Sequence, residues 1–142
     1  MNDIRKFAVT PTSTLHLCDS NDDPMYAQGA DGEPDLERPM IAVLYGPGSK
    51  PFKKAQAAAS NKTVDRLKKK GKSDLSAEDQ ARENADFLTA CTVELKNVTF
   101  DKLEGEALFK AVYTTPEIGF IPEQINKHIN DWANFSKSSE TK

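Results

Sequence analysis

The chain has 142 residues and a formal net charge of −3; 29% of its residues are charged and 37% are hydrophobic, which is polar for a globular protein but sufficient for one core. It has no N-terminal apolar run and no stretch of membrane-spanning length, so we expect neither a signal peptide nor a membrane helix, and a cytoplasmic location. Two cysteines, Cys18 and Cys91, lie far apart in sequence, and in a reducing compartment we expect them to be free thiols.

The first part of the chain, residues 12–45, is predicted to form β structure. Residues 14–18 alternate between polar and apolar side chains as a half-buried strand does, and residues 40–45 form the clearest strand. A third short strand is predicted near residues 25–27, between segments rich in the turn-forming residues Asp, Asn, Gly and Pro. The pattern therefore predicts a small antiparallel β-meander.

Two helices are predicted next. Ser49 is placed to cap the first, with Pro51 in its first turn, and Gly71 ends it. Ser76 caps the second helix, whose apolar residues recur at spacings of three and four as far as Leu95. Both helices carry Ala-rich faces, which predict either close packing on each other or a groove for a helical partner.

Two further helices are predicted towards the C-terminus. Residues 105–114 form the third, and Pro116 blocks its continuation. The fourth begins near Pro122 and carries an apolar stripe that ends at Trp132 and Phe135. These two aromatic residues are interpreted as core, with an exposed aromatic anchor for a partner as the alternative.

Together these elements predict an α+β fold, with a small antiparallel N-terminal sheet of about three strands followed by a bundle of about four helices. We expect residues 1–142 to form a single domain, with its β part at 12–45 and its helical part at 50–135. Residues 136–142 have no apolar content and are predicted to be a disordered tail.

The charge is strongly segregated along the chain. Residues 50–72 carry nine Lys or Arg against one Asp, whereas residues 73–106 carry three Lys or Arg against nine Asp or Glu. A basic face of the first helix is therefore a candidate partner-binding surface. Its residues are Lys53, Lys54, Lys62, Arg66, Lys68, Lys69, Lys70 and Lys72.

This basic face has three interpretations. It is a solvated surface, a contact for an acidic protein or for residues 73–106 of another copy, or a site for nucleic-acid phosphates. The excess of Lys over Arg and the lack of an aromatic stacking platform disfavour nucleic acid.

No segment has a pattern that is typical of catalysis, of a bound cofactor or of a metal. Residues 46–50 resemble a phosphate-binding loop, but the spacing between the glycines is too short. Residues 19–23 match the start of a calcium loop, but the later Gly and Glu ligand positions are missing. His16 and Cys18 alternate on one strand, yet the chain has only one other His and one other Cys. We therefore expect a non-enzymatic protein with no cofactor or metal.

Four segments, together with the Ala-rich basic helix, carry a resemblance to a known family. They are Leu-Tyr-Gly-Pro-Gly-Ser at 44–49, Asn-Ala-Asp-Phe-Leu-Thr-Ala-Cys at 84–91, Ile-Gly-Phe-Ile at 118–121 and Asp-Trp-Ala-Asn-Phe at 131–135. They resemble small proteins encoded among the tail genes of long-tailed bacteriophages, most of all the tail assembly chaperones. The resemblance covers residues 12–136, and its motifs are packing patterns and turns.

The resemblance implies a viral protein that acts in the host cytoplasm. Tail assembly chaperones bind the long helical tape measure protein and help tail tube protein assemble around it. The family has no defined site, so the candidate partner-binding residues remain the basic residues of the first helix together with Trp132 and Phe135. Two alternatives stay open: a tube, terminator or connector protein that associates with itself, and a nucleic-acid-binding accessory protein that uses residues 50–72.

Overall fold

The computed structural model describes residues 3–71 and 76–136, apart from the side chain of Lys70. The strands are β1 (Thr12–His16), β2 (Tyr26–Gln28), β3 (Pro34–Pro39), β4 (Ile41–Tyr45) and β5 (Thr92–Lys96), and the helices are α1 (Lys50–Lys70), α2 (Ala77–Ala90), α3 (Gly105–Thr114) and α4 (Phe120–Ile129). Three short 3-10 turns cover Ile4–Phe7, Pro116–Ile118 and Trp132–Phe135. The predicted α+β class, with a small antiparallel sheet and four helices, is confirmed.

The strands form two antiparallel sheets. The main sheet has the order β1-β4-β5, and β2 pairs with β3 in a separate two-stranded sheet. The predicted meander within residues 12–45 is therefore wrong in its pairing, because β1 pairs with β4 and the β2–β3 pair lies between them in sequence. Ala42 and Leu44 of the central strand are fully buried, as expected for a strand paired on both sides.

The second helix is shorter than predicted. It ends at Ala90, and Leu95 lies in β5, inside the region predicted to be wholly helical. The Thr92 hydroxyl donates to the Leu88 carbonyl, 2.7 Å away, at the point where the helix ends. Leu95 pairs with Ala42 in β4. Helical spacing in the sequence cannot reveal this pairing, because β4 lies about fifty residues before β5 in the chain.

The predicted starts of α1 and α2, and the predicted end of α1, are confirmed by local geometry. The Ser49 hydroxyl accepts a hydrogen bond from the Phe52 amide at 3.3 Å, and Ser76 caps α2 through the Asp79 amide at 3.2 Å. Gly71 follows α1 with a φ of 71°, in the left-handed region where glycine avoids Cβ strain. Residues 72–75 lie outside the described part of the chain, as does the predicted tail beyond Ser136.

The last helix also ends earlier than predicted. Helix α4 stops at Ile129, and a separate 3-10 turn carries Trp132 and Phe135. The Asp131 carboxylate accepts from the Ala133 amide and so caps this turn. Because the 3-10 turn does not continue α4, the two aromatic residues do not share one helical stripe. Phe135 is fully buried, whereas Trp132 is 53% exposed. Core burial is therefore correct for Phe135 and wrong for Trp132.

The core lies between the main sheet and the helices. Its fully buried members include Leu17, Leu44, Leu88, Ile125 and Ile129. Each side chain of this size stabilises the fold by about 2 kcal/mol when it is removed from water. Among the described residues, no helix combines the length and the apolar character needed to cross a bilayer.

Candidate partner-binding surfaces

Only the first part of α1 is anchored in the core. Phe52 and Ala55 are buried, and the Phe52 ring meets the Phe87 ring of α2 edge-to-face at 5.5 Å. Further along, Val64 and Leu67 are 45% and 48% exposed, so the large apolar side chains of α1 are covered only near its start. The Ala-rich face of α1 lies beside α2 and leaves a small groove between the helices, whereas Ala77 and Ala81 of the predicted α2 face are exposed.

Two of the predicted partner-binding cations are engaged within the chain. Lys62 Nζ lies 3.1 Å from Asp86 Oδ2, and Arg66 pairs with Glu83. The Arg66 side chain also donates to the Thr63 hydroxyl at 3.2 Å. Part of the basic charge of α1 therefore meets the acidic charge of α2 in the same molecule, where it holds the two helices together.

The remaining basic residues of α1 form two separated groups. Lys50, Lys53 and Lys54 are exposed near its start, and Lys68 and Lys69 are exposed near its end. None of the ion pairs between described residues involves them. Fifteen residues of helix separate Lys53 from Lys68, which places these two residues roughly 22 Å apart along the axis. The side chain of Lys70 and the whole of Lys72 lie outside the described residues.

Phe135, predicted as a partner-binding residue, is inaccessible because it packs against the turn that follows β4. A Cβ at Gly46 would lie 2.5 Å from Cε2 of the Phe135 ring and closer still to Cδ2, so only glycine fits there. The Phe135 carbonyl accepts from the Thr10 amide and hydroxyl, at 2.8 Å and 3.0 Å. Two segments that carry the family resemblance, 44–49 and 131–135, thus contact each other as packing partners.

An apolar pocket that the sequence did not predict lies among the β2–β3 pair, the loop after β5, α3 and α4. It has a volume of about 160 Å³, and nine of its ten lining side chains are apolar. They are Leu17, Met25, Met40, Val98, Phe100, Val112, Ile118, Phe120 and Ile121, with Thr99 as the polar member. We call this cavity the Met-lined pocket. An engineered cavity of about 150 Å³ holds a benzene molecule, so the Met-lined pocket has room for one large side chain.

The two methionines of this pocket have fixed backbones and adaptable side chains. The Met25 amide donates to the Leu17 carbonyl at 2.9 Å, and the Met40 amide donates to the Met25 carbonyl at 3.0 Å. Both side chains are half-buried. Methionine has three rotatable bonds and a polarisable sulfur, so it fits apolar partners of different shapes. No sequence pattern predicts the pocket, because its residues come from segments far apart in the chain.

The two histidines each lie within hydrogen-bond distance of a nearby group, and the two cysteines are not bridged. His16 Nε2 lies 2.8 Å from the Met25 carbonyl, and His128 Nε2 lies 2.7 Å from the Ser13 hydroxyl. Cys18 and Cys91 are both free thiols, and burial raises the pKa of Cys91 to about 12. Within the described part of the chain, no three His, Cys, Asp or Glu side chains converge as metal ligands would.

No protein-family model matches the chain, and comparisons with curated proteins and with solved structures found no match either.

Proposed function

We propose that this protein is a non-enzymatic tail assembly chaperone of a long-tailed phage. In this proposal it binds the helical tape measure protein and assists assembly of tail tube protein around it. The observation that carries the proposal is the Met-lined pocket, an apolar opening of a size that accepts one side chain of a partner. The resemblance of residues 44–49, 84–91, 118–121 and 131–135 to this family supports the proposal independently.

The chemistry of the pocket suits a long helical client. A helix presents apolar side chains at spacings of three and four residues, and a groove binds such a helix by receiving these anchors. A client with many different apolar anchors binds best to a pocket whose side chains can change conformation. Met25 and Met40 are such side chains in the lining of this pocket. The half-buried rings of Phe100 and Phe120 add apolar area.

The expected strength of the contact also suits an assembly factor. Burial of one large apolar side chain is worth about 1.5–3 kcal/mol, so a single pocket binds one anchor weakly. A long helical client offers many such anchors, so several copies can bind along it. Each copy can still be displaced as tube subunits arrive.

The basic face of α1 is less suited to nucleic acid than its sequence predicted. Lys62 and Arg66 are paired with α2, and the other exposed lysines of α1 lie in two separated groups near its ends. A continuous track of cations, which phosphate binding favours, is interrupted at those two positions. These contacts favour the protein-binding function.

The test is co-expression of the full chain with the tape measure protein of the same phage. The pocket variant is Met25→Lys, and the matched control is Leu36→Lys, since Leu36 is 73% exposed on β3 and does not line the pocket. We expect the wild type and Leu36→Lys to keep the client soluble and to elute with it. Met25→Lys should lose both effects while retaining its circular dichroism spectrum.

Two results would contradict the proposal. One is a wild-type protein that changes neither the solubility of the tape measure protein nor its own elution volume in the presence of that protein. The other is a Met25→Lys variant that is folded and binds the client as well as Leu36→Lys does.

A further inference from the structure

The N-terminal 3-10 turn, Ile4–Phe7, presents an apolar face that the described part of the chain leaves largely exposed. Residues three apart lie on the same side of a 3-10 helix, so Ile4 and Phe7 share one face. Their side chains are 77% and 70% exposed. The two residues between them, Arg5 and Lys6, are basic, and Arg5 is bonded to Asp3. The turn therefore combines two large apolar side chains with positive charge.

A wide groove runs along the outer side of β5, towards the start of α3. Its volume is about 390 Å³, and its lining includes Val93, Leu103 and Phe109, of which Val93 and Leu103 are 42% and 40% exposed. Of the described residues that line it, the charged ones are Glu94 and Glu104. Neither carboxylate takes part in an ion pair between described residues. We call this surface the acidic groove.

The N-terminal turn and the acidic groove match in size and in charge. The groove is more than twice the roughly 150 Å³ that holds one benzene molecule, so it has room for two large side chains. Its two carboxylates complement the basic residues of the turn. We propose that the N-terminal turn of one copy docks in the acidic groove of a second copy, with Ile4 and Phe7 on the apolar floor and Lys6 near Glu94 or Glu104.

The topology favours docking between two molecules. The segment after the turn is held at the β1 edge of the main sheet, because Thr10 is bonded to the Phe135 carbonyl and Val9 lies against Gly48. The acidic groove lies at the β5 edge, and β4 separates the two edges. In its own chain the turn is exposed rather than seated in the groove.

The edge of β5 favours side-chain docking over addition of a strand. Val43 pairs with Glu94 while Leu44 pairs with Thr92, so the pairing of β4 with β5 shifts register at the residue between them. Such irregularities and exposed charges, here Glu94 and Lys96, discourage another strand from pairing with an edge. A compact turn that inserts side chains avoids this obstacle.

The contact joins two different surfaces. One copy supplies its turn and the other supplies its groove. Two copies that exchange turns reciprocally form a dimer with two-fold symmetry, whereas head-to-tail contacts link successive copies into a ring or chain. This self-association uses neither Met25 nor Met40, so it does not depend on the proposed function.

The test measures the oligomeric state of the full chain by sedimentation velocity over a wide concentration range. The wild type should associate as its concentration rises. Phe7→Ala should raise the dissociation constant about 10- to 100-fold, because a buried phenylalanine is lost from the contact. Leu36→Ala is the matched control, since Leu36 is equally exposed but lies outside both surfaces.

A charge exchange tests the orientation of the docked turn. Lys6→Glu and Glu104→Lys should each weaken association, and the double variant should recover part of it because the opposite charges are restored. Both residues are exposed, so these variants should fold normally.

A wild type that stays monomeric at every concentration overturns the inference, as does unchanged association of Phe7→Ala. A monomeric wild type in which Glu104→Lys weakens binding of the tape measure protein would show that the groove takes the client. That result also overturns self-association, and it leaves the outcome of the Met25→Lys experiment unaffected.

Discussion

Replacement of Gly46 by alanine tests how closely the turn after β4 packs on Phe135. A Cβ at residue 46 would lie 2.5 Å from Cε2 of the ring and closer still to Cδ2, which is nearer than atoms of folded proteins approach. Gly46 does not have a positive φ, so its requirement is steric rather than conformational. The ring cannot move aside easily, because it is fully buried and meets the His128 ring at 5.5 Å.

The expected cost follows from overpacking. Extra atoms in a close-packed core cost about 1–3 kcal/mol, and complete loss of a buried phenylalanine costs about 3–5 kcal/mol. The displaced Phe135 ring keeps some of its contacts, so we expect Gly46→Ala to lower the free energy of unfolding by about 2–3 kcal/mol. For a chain of this length the melting temperature should fall by roughly 7–10 °C.

The assay is urea unfolding followed by far-ultraviolet circular dichroism. Gly48→Ala is the matched control in the same turn: its Cβ would meet Cγ2 of Val9 at 2.8 Å, and this half-buried side chain can rotate away. We expect the control to cost less than about 1 kcal/mol. In a Phe135→Leu background the cost of Gly46→Ala should fall by at least half, because the clashing ring is gone. Equal costs of the two alanines, or an unchanged cost of Gly46→Ala in the Phe135→Leu background, would refute the steric argument.

Two predictions concern titratable groups. In the folded protein Cys18 should react with a thiol reagent well before Cys91. Burial raises the pKa of both thiols, but Cys91 is fully buried and its pKa is raised to about 12, whereas Cys18 is partly exposed. Equal rates in Cys18→Ser and Cys91→Ser variants would contradict this. Burial lowers the pKa of His128 from its ordinary value of 6.5, and Asp131 opposes the shift. The unfolded chain then binds a proton that the folded chain excludes, so stability should fall as the pH drops below about 6.5. His128→Asn should flatten this slope in urea unfolding, and a slope that is unchanged would count against burial as its cause.

The helix boundaries show what local sequence can predict. Ser49, Gly71 and Ser76 act through their own side chains or backbone on neighbours within four residues, so a linear pattern contains the whole interaction. The predicted bounds of the helix at 105–114 are correct for the same reason, since Pro116 blocks the helix that precedes it. The α+β class followed from these local signals together with the alternating strands.

The candidate site was much less predictable. The sequence predicts Lys62 and Arg66 as partner-binding cations, and their pairing with Asp86 and Glu83 depends on how α1 lies against α2. The Met-lined pocket and the acidic groove each draw residues from several elements, and no single stretch of sequence contains enough of either to reveal it. Whether a partner occupies them stays a prediction.

By itself the sequence determined where α1 begins and ends, where α2 begins, the bounds of α3, and that strands and helices share one α+β fold, because caps, prolines and alternation act over a few residues. Only the tertiary structure decided that β5 joins β4, that Phe135 is buried against Gly46 while Trp132 is exposed, and which lysines remain accessible. Those outcomes depend on contacts between segments tens of residues apart, and their energies arise from burial and pairing that exist only once the chain has folded.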